Sequence, residues 1–138
     1  MFTTRPFLVA DYDTVAELWK VSEGIELAEG DSKSEIAAYL QRNPNLSRVA
    51  ELDSLIVGAV LCGHDGRRGL VYHLSVKGEA RGKGIGKRLV SECMAGLRDV
   101  GITRVILLVD KSNEQGQAFW TSQGYELIDR AMPMGRDI

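Results

Sequence analysis

The chain has 138 residues, 44% of them hydrophobic and 26% charged, with a formal net charge of -2. That length and balance suit one globular domain with a real core, and they exclude a disordered or low-complexity protein. A mildly acidic chain has no electrostatic ground for wrapping nucleic acid, and no apolar run approaches the ~20 residues that cross a bilayer.

The first residues, "MFTTRPFLVADYD", lack the basic and apolar regions of an export signal. A single domain over residues 1–138 is therefore expected in the cytoplasm, with neither nucleic acid nor membrane as partner. Cys62 and Cys93 have no CxxC neighbour, so no metal site is expected. A reduced, buried Cys93 fits a reducing compartment.

In chain order, "TRPFLVA" reads as a strand over Thr4 to Ala10. "DYDTVAELWKVSE" reads as a helix capped by Asp11 or Asp13, with Val15, Leu18 and Trp19 at helical spacing. "SEIAAYLQRN" is a second helix, capped by Ser32 or Ser34 and stopped before Pro44. Two strands, "LSRVAEL" and "LIVGAVLCG", flank a hairpin turn at Asp53-Ser54. The turn "HDGRRG" leads into a further strand, "LVYHLSV". A long helix then runs from Ile85 to about Val100, with Ile85, Leu89, Cys93 and Leu97 forming one apolar stripe that ends at Gly101. "TRVILLV" is nearly all apolar and is expected to be a strand buried on both faces. "NEQGQAFWTSQG" is a short helix with an Asn or Ser cap. "YELIDRAMPMGR" is expected to close the chain as one strand or a hairpin. The sum is an α/β chain, with a mixed sheet carrying helices on both faces.

Between the strand at Leu70–Val76 and the long helix lies "ARGKGIGK". Gly82 and Gly84 fit the first two glycines of a dinucleotide fingerprint, but Lys87 stands at the third. Gly86-Lys87 fit a Walker A loop, but Arg81 replaces its first glycine and Arg88 its Ser/Thr. A kinase-type glycine loop fails on the same count. What remains is a glycine-rich turn that opens a helix beside Arg81, Lys83 and Lys87. Such a turn suits a pyrophosphate, and equally a tight structural turn with a solvated basic face.

"LSVKGEARGKGIGKRLV" resembles the acetyl-CoA motif of the GNAT N-acetyltransferase superfamily, V-x-P-x-x-[QR]-x-x-G-x-[GA]. Val76, Arg81, Gly84 and Gly86 match in register, and Gly78 replaces the usual proline. "NEQGQAFWTSQGYE" is similar to a second motif of that family. There Asn113, Phe119, Gly124 and Tyr125 match, and Gly116 replaces an alanine. The resemblance implies about seven strands in the order β-α-α-β-β-β-α-β-α-β-β, with the fourth and fifth splayed apart. It implies acetyl-CoA as co-substrate, its pantetheine arm pairing with the backbone of Leu74 and Val76. The pyrophosphate would rest on Arg81, Gly82, Lys83, Gly84, Ile85, Gly86 and Lys87, and Asn113 would reach the arm. It also implies a homodimer paired through the last strands.

The implied reaction is direct transfer of an acetyl group to a primary amine, borne by a small molecule or by a protein N-terminus or lysine. It needs a neutral amine, a donor for the oxyanion and a leaving thiolate. The Leu74 backbone N–H is the candidate donor. Many family members carry a tyrosine acid where this chain has Trp120, whose indole is no usable acid near neutral pH. Tyr125 is the nearest alternative phenol, and Ser112 can act only through water. His73 titrates in the range a base needs. His64 lies in a turn. Glu23, Glu26 and Glu29 sit in the loop between the first two helices, where the family shapes its acceptor site, and Glu51 is a weaker candidate. The Trp120 departure keeps a second reading open, a non-catalytic acyl-CoA-binding module or sensor.

Overall fold

A computed structural model describes residues 1–138. The chain divides into a compact unit over Met1–Leu108 and a second over Val109–Ile138. The first contains strands β1 (Thr3–Pro6), β2 (Arg48–Leu52), β3 (Leu55–His64), β4 (Gly69–Val76) and β5 (Val105–Leu107), and helices α1 (Tyr12–Lys20), α2 (Lys33–Arg42) and α3 (Ile85–Asp99). The second contains α4 (Glu114–Ser122).

The five strands form one sheet in the order β1-β2-β3-β4-β5. The first four pair antiparallel, and β5 runs parallel to β4. β3 is the centre of the first unit. Its run from Val57 to Gly63 is buried throughout, because both faces of the sheet are covered. Ala59 and Leu61 face a cluster built from Phe7, Val15, Ala16, Trp19 and Ile36. Gly58 faces α3 so closely that a Cβ there would meet Ile85 Cγ2 at 3.0 Å. The stripe Ile85, Leu89, Cys93 and Leu97 is fully buried, as its spacing predicts. Each large side chain buried in this way contributes roughly 1.5–3 kcal/mol. No helix is long and apolar enough to cross a membrane.

Local chemistry sets the element ends. Asp53 and Ser54 both take left-handed φ, 52° and 65°, in the two-residue turn between β2 and β3. Ser32 caps α2, its hydroxyl accepting from Glu35 N. Asp11 stands before α1 but does not cap it. Its carboxylate instead accepts from Arg5 at 2.8 and 2.9 Å and from Leu8 N at 2.9 Å. Burial pushes this carboxyl upward, but the bonds from Arg5 and Leu8 outweigh it and hold Asp11 below its usual range. The same knot bends the chain into a 3-10 turn at Val9–Asp11. β1 therefore ends at Pro6, which has no N–H to continue a ladder, and not at Ala10 as the sequence suggests.

Two further expectations are corrected. The apolar run "TRVILLV" yields only the three-residue β5, each residue half-buried, and Leu108 beyond it is 70% exposed. The half-burial of all three residues shows that the run is not covered on both faces. The sheet has five strands and not about seven, and the element order stops at β-α-α-β-β-β-α-β-α. No strand forms in "YELIDRAMPMGR", the segment expected to pair copies into a homodimer. Pro133 lacks a ladder donor, and Leu127 and Met134 are each 90% exposed, so no apolar burial offsets the entropy of ordering this segment.

Candidate active site: a split sheet edge, a bulge and a glycine loop

β4 carries the site. Only its first three residues, Gly69–Val71, pair with β5. From Tyr72 to Val76 the strand has β3 on one side and no strand on the other, which is the splay expected of the fourth and fifth strands. The backbone of Leu74 and Val76 lies in this unpaired stretch.

A β-bulge sits within it. Ala59 pairs with Ser75 and Leu61 with Tyr72, so the single residue Val60 faces both His73 and Leu74. His73 takes a φ of 52°. A left-handed conformation costs a non-glycine residue about 1–2 kcal/mol, so the packing around it must hold it there. A bulge interrupts the ladder and re-aims the backbone groups at that point, and the Leu74 N–H belongs to this interruption.

The packing around His73 is specific. Its Nε2 lies 2.9 Å from Asp31 Oδ1, and the ring packs edge-on against Trp19 at 5.0 Å between centroids. Asp31 comes from the loop between α1 and α2. Its other carboxylate oxygen accepts from Ala28 N at 3.1 Å, and its backbone carbonyl accepts from the Tyr12 hydroxyl at 2.5 Å. Both members of the pair are largely buried, Asp31 with 14% and His73 with 19% of the side chain exposed. Asp31 escaped the sequence reading because "EGDSKSE" looked like a loop and a cap. The carboxylates singled out in its place, Glu23, Glu26 and Glu29, are exposed. Glu51 is engaged by Arg5 at 3.1 Å. His64 accepts from Gly66 N in its turn, a structural use of its Nδ1. Cys93 is no nucleophile, since a hydrogen bond with Cys62 and burial push its thiol far up.

Beyond Val76 a 3-10 turn at Gly78–Ala80 leads into the glycine loop. Arg81 Nε donates to Val76 O at 3.3 Å, tying the loop to the strand end. Gly82 and Gly84 take φ of 80° and 82°, and a Cβ at either would meet nothing within 4 Å. The loop is thus shaped by backbone, with open space in front of it. Gly84 is the N-cap of α3 and brings no side-chain cap. The first N–H groups of α3 are therefore left for an outside acceptor, at the positive end of the helix. Arg88 is tied to Glu92 at 2.6 Å, while Lys83 and Lys87 join no ion pair. These residues fit the pyrophosphate of a CoA ester: N–H donors, local positive charge and no side chain in the way.

The family model of the acetyltransferase (GNAT) family matches residues 12–125. The chain belongs to the GNAT acetyltransferase family. A protein of Pectobacterium atrosepticum named acetyltransferase is 32% identical over 125 residues, covering 91% of this chain and 88% of its own. Among solved structures, an N-acetyltransferase of Thermoplasma acidophilum in complex with coenzyme A superposes with a TM-score of 0.79 at 22% identity, covering 94% of this chain and 92% of that one. A ribosomal-protein-alanine N-acetyltransferase of Brucella melitensis gives a TM-score of 0.75 at 20% identity, with 99% of each chain covered.

The second GNAT motif lies in the second unit. Asn113 caps α4, its Oδ1 accepting from Gly116 N at 2.9 Å, so one end of the amide is already engaged. Trp120, at the position where many GNAT enzymes hold a tyrosine, packs edge-on between Phe119 and Tyr125 at 5.1 and 5.0 Å. Tyr125 follows the helix end, its N–H donating to Trp120 O at 3.0 Å.

Proposed function

We propose that this protein is an acetyl-CoA-dependent N-acetyltransferase that passes an acetyl group directly to a primary amine. The observation that carries this is the continuity of β4. From Tyr72 through the glycine loop that follows the strand, the chain supplies in succession an unpaired strand edge, a bulge that re-aims a backbone N–H, and an uncapped helix start. Those three features suit the three parts of acetyl-CoA in order: the amide-bearing arm, the thioester carbonyl and the pyrophosphate.

The roles of the residues follow. The backbone of Leu74 and Val76 holds the arm as an added strand would be held. The N–H groups from Gly82 to Lys87, with the two lysines, hold the pyrophosphate, while the Arg81 N–H stays on Gly78 O at 3.2 Å and leaves Arg81 only its side chain to offer. The Leu74 N–H lies where a donor can stabilise the oxygen that becomes negative as the amine attacks. His73 and Tyr125 are the candidates for proton handling, His73 at the bulge and Tyr125 after α4. The departing thiolate is a tolerable leaving group, so the tryptophan at position 120 does not forbid transfer. The acceptor is a small amine or a protein amine. The likeness to the Brucella ribosomal-protein-alanine N-acetyltransferase favours the protein branch, and the exposed Glu23, Glu26 and Glu29 favour any cationic acceptor.

Trp120 also favours a second reading, an acyl-CoA-binding module without turnover. Calorimetric titration with acetyl-CoA, with ATP and NAD as controls, followed by an amine panel, separates the readings. Saturable binding of acetyl-CoA alone, with acetylated product, is the expected result. Binding without product on any amine or N-terminal peptide leaves the sensor. Absence of binding removes both.

A further inference from the structure

The geometry points to Asp31 as the positioning residue that makes His73 the proton acceptor for the attacking amine. This rests on the N-acetyltransferase reading above and adds the group that completes it.

The argument begins with the ring. An imidazole can take a proton at only one nitrogen, and the bond made by the other decides which. Asp31 Oδ1 lies 2.9 Å from Nε2 and, as a carboxylate, can only accept. The proton of the neutral ring therefore sits on Nε2, and Nδ1 carries the lone pair. Asp31 is itself fixed at three points: by the ring, by Ala28 N and by the Tyr12 hydroxyl on its carbonyl. A carboxylate held this firmly fixes the ring as well as the tautomer.

The second support is the backbone. His73 pays for its left-handed φ of 52° in the middle of a strand, at the bulge. The imidazole and the Leu74 N–H belong to neighbouring residues, and both fall in the one break in the ladder opposite Val60. A base and an oxyanion donor so placed can serve the two sides of one carbonyl. The surroundings leave no competing charge. Trp19 packs on the ring from α1, Ala59 and Leu61 face this stretch from β3, and Tyr72 precedes it on β4, its phenol pushed up by burial. Trp19 Nε1, on the ring that packs against His73, and Ser75 Oγ, two residues along β4, are buried without hydrogen-bond partners.

The step balances as follows. The neutral amine forms the C–N bond to the acetyl carbon with its lone pair. One N–H proton passes to His73 Nδ1, directly or through one water. The C–S bond breaks, its electron pair goes to sulfur, and the thiolate is protonated by solvent. Asp31 remains a carboxylate and faces an imidazolium. The proton returns from His73 to water before the next turnover.

The test uses a substitution that suits the backbone. Glycine accepts a φ of 52° without strain, so His73→Gly keeps the bulge and leaves a gap of imidazole shape. It is expected to keep acetyl-CoA affinity, to lower kcat by about 100-fold, and to regain activity when imidazole is added to the buffer. Asp31→Asn is expected to lower kcat by about 10-fold or more, since an amide can present a donor to Nε2 and favour the wrong tautomer. The double variant should respond to imidazole less than His73→Gly alone. An NMR signal from a hydrogen-bonded Nε2 proton of His73 is expected in the wild type and should vanish in Asp31→Asn. A wild type that turns over while His73→Gly loses nothing overturns this inference and leaves the acetyltransferase reading standing. The same holds if imidazole restores the single and double variants equally. A wild type that binds acetyl-CoA and acetylates no amine overturns the parent reading, and this one with it.

Discussion

At the start of α2, the Ser32 hydroxyl accepts from Glu35 N at 3.3 Å, and the Glu35 carboxylate accepts from Ser32 N and Gly30 N at 3.2 and 3.1 Å. At the start of α3 stands Gly84, with a left-handed φ of 82° and no side-chain bond at all. Both helices belong to the same compact unit and pack on the same sheet, on opposite faces. One closes its free N–H groups on itself; the other leaves them open. Glycine at an N-cap costs only a few tenths of a kcal/mol against serine or aspartate, so the open start is kept at little cost to stability. The open start lies where β4 delivers a glycine loop flanked by unpaired lysines. The open one is therefore read as the binding end and the closed one as scaffold.

The largest effect should come from filling the open start. Gly84→Glu places a side chain and a negative charge where the N–H groups converge. Acetyl-CoA affinity should fall by about 100-fold, the equivalent of one or two charge-assisted hydrogen bonds. Circular dichroism should still report a folded protein. Unchanged affinity by calorimetry would remove α3 from the site and leave its open start unexplained. Breaking the closed start should do the reverse. Ser32→Ala is expected to lower unfolding stability by about 1 kcal/mol, measured by denaturant titration, with acetyl-CoA affinity unchanged. A change in affinity there would mean that α2 is not merely scaffold.

Acid should also divide the two. The bond from Ser32, and then those of the backbone N–H groups, hold Glu35 below its usual range. A depressed carboxyl stabilises the fold above its unfolded value and loses that contribution as pH falls through its folded value. The start of α2 should therefore loosen in acid, and Glu35→Gln should flatten that part of the stability–pH curve. The start of α3 has no titrating cap to lose. Asp11 and Glu92 add to the same acid limb. Burial raises both, but hydrogen bonds from Arg5 and Leu8 in one case, and from Thr4, Arg88 and Arg48 in the other, hold them low. The smallest effect is expected in the second unit. Trp120→Phe should leave the alkaline limb of the rate profile in place, because an indole does not titrate there. A lost limb would give α4 a proton-handling role that its residue types deny.

The same contrast explains what could be read from residues alone. The cap at Ser32, the turn at Asp53-Ser54, the stripe of α3 and the glycine loop are all settled within a few residues, and local chemistry names them. Asp31 and His73 stand 42 residues apart, and only the packing of the α1–α2 loop on the β4 bulge joins them. His73 could be suspected from its residue type, but its left-handed backbone has no sequence mark. Asp11 looked like a cap and became an anchor, because Arg5 lay across the turn. The strand expected in "TRVILLV" exists only over Val105–Leu107, where β4 lies beside it, and the closing strand is absent for a related reason. "YELI" and "TRVILLV" have strand composition, but a strand exists only beside another, and composition does not name the neighbour.

The stretch of β4 beyond Val71 has a further consequence. Its row of N–H and C=O groups, open on the side away from β3, is the same surface by which sheets recruit foreign strands and aggregate. Under the function proposed above, in which acetyl-CoA lies along this edge, the edge is bare whenever the co-substrate is scarce. Acetyl-CoA would then act as a guard as well as a donor. Concentrated samples saturated with it should stay monodisperse under conditions where the free protein slowly self-associates, a difference that light scattering can follow over days.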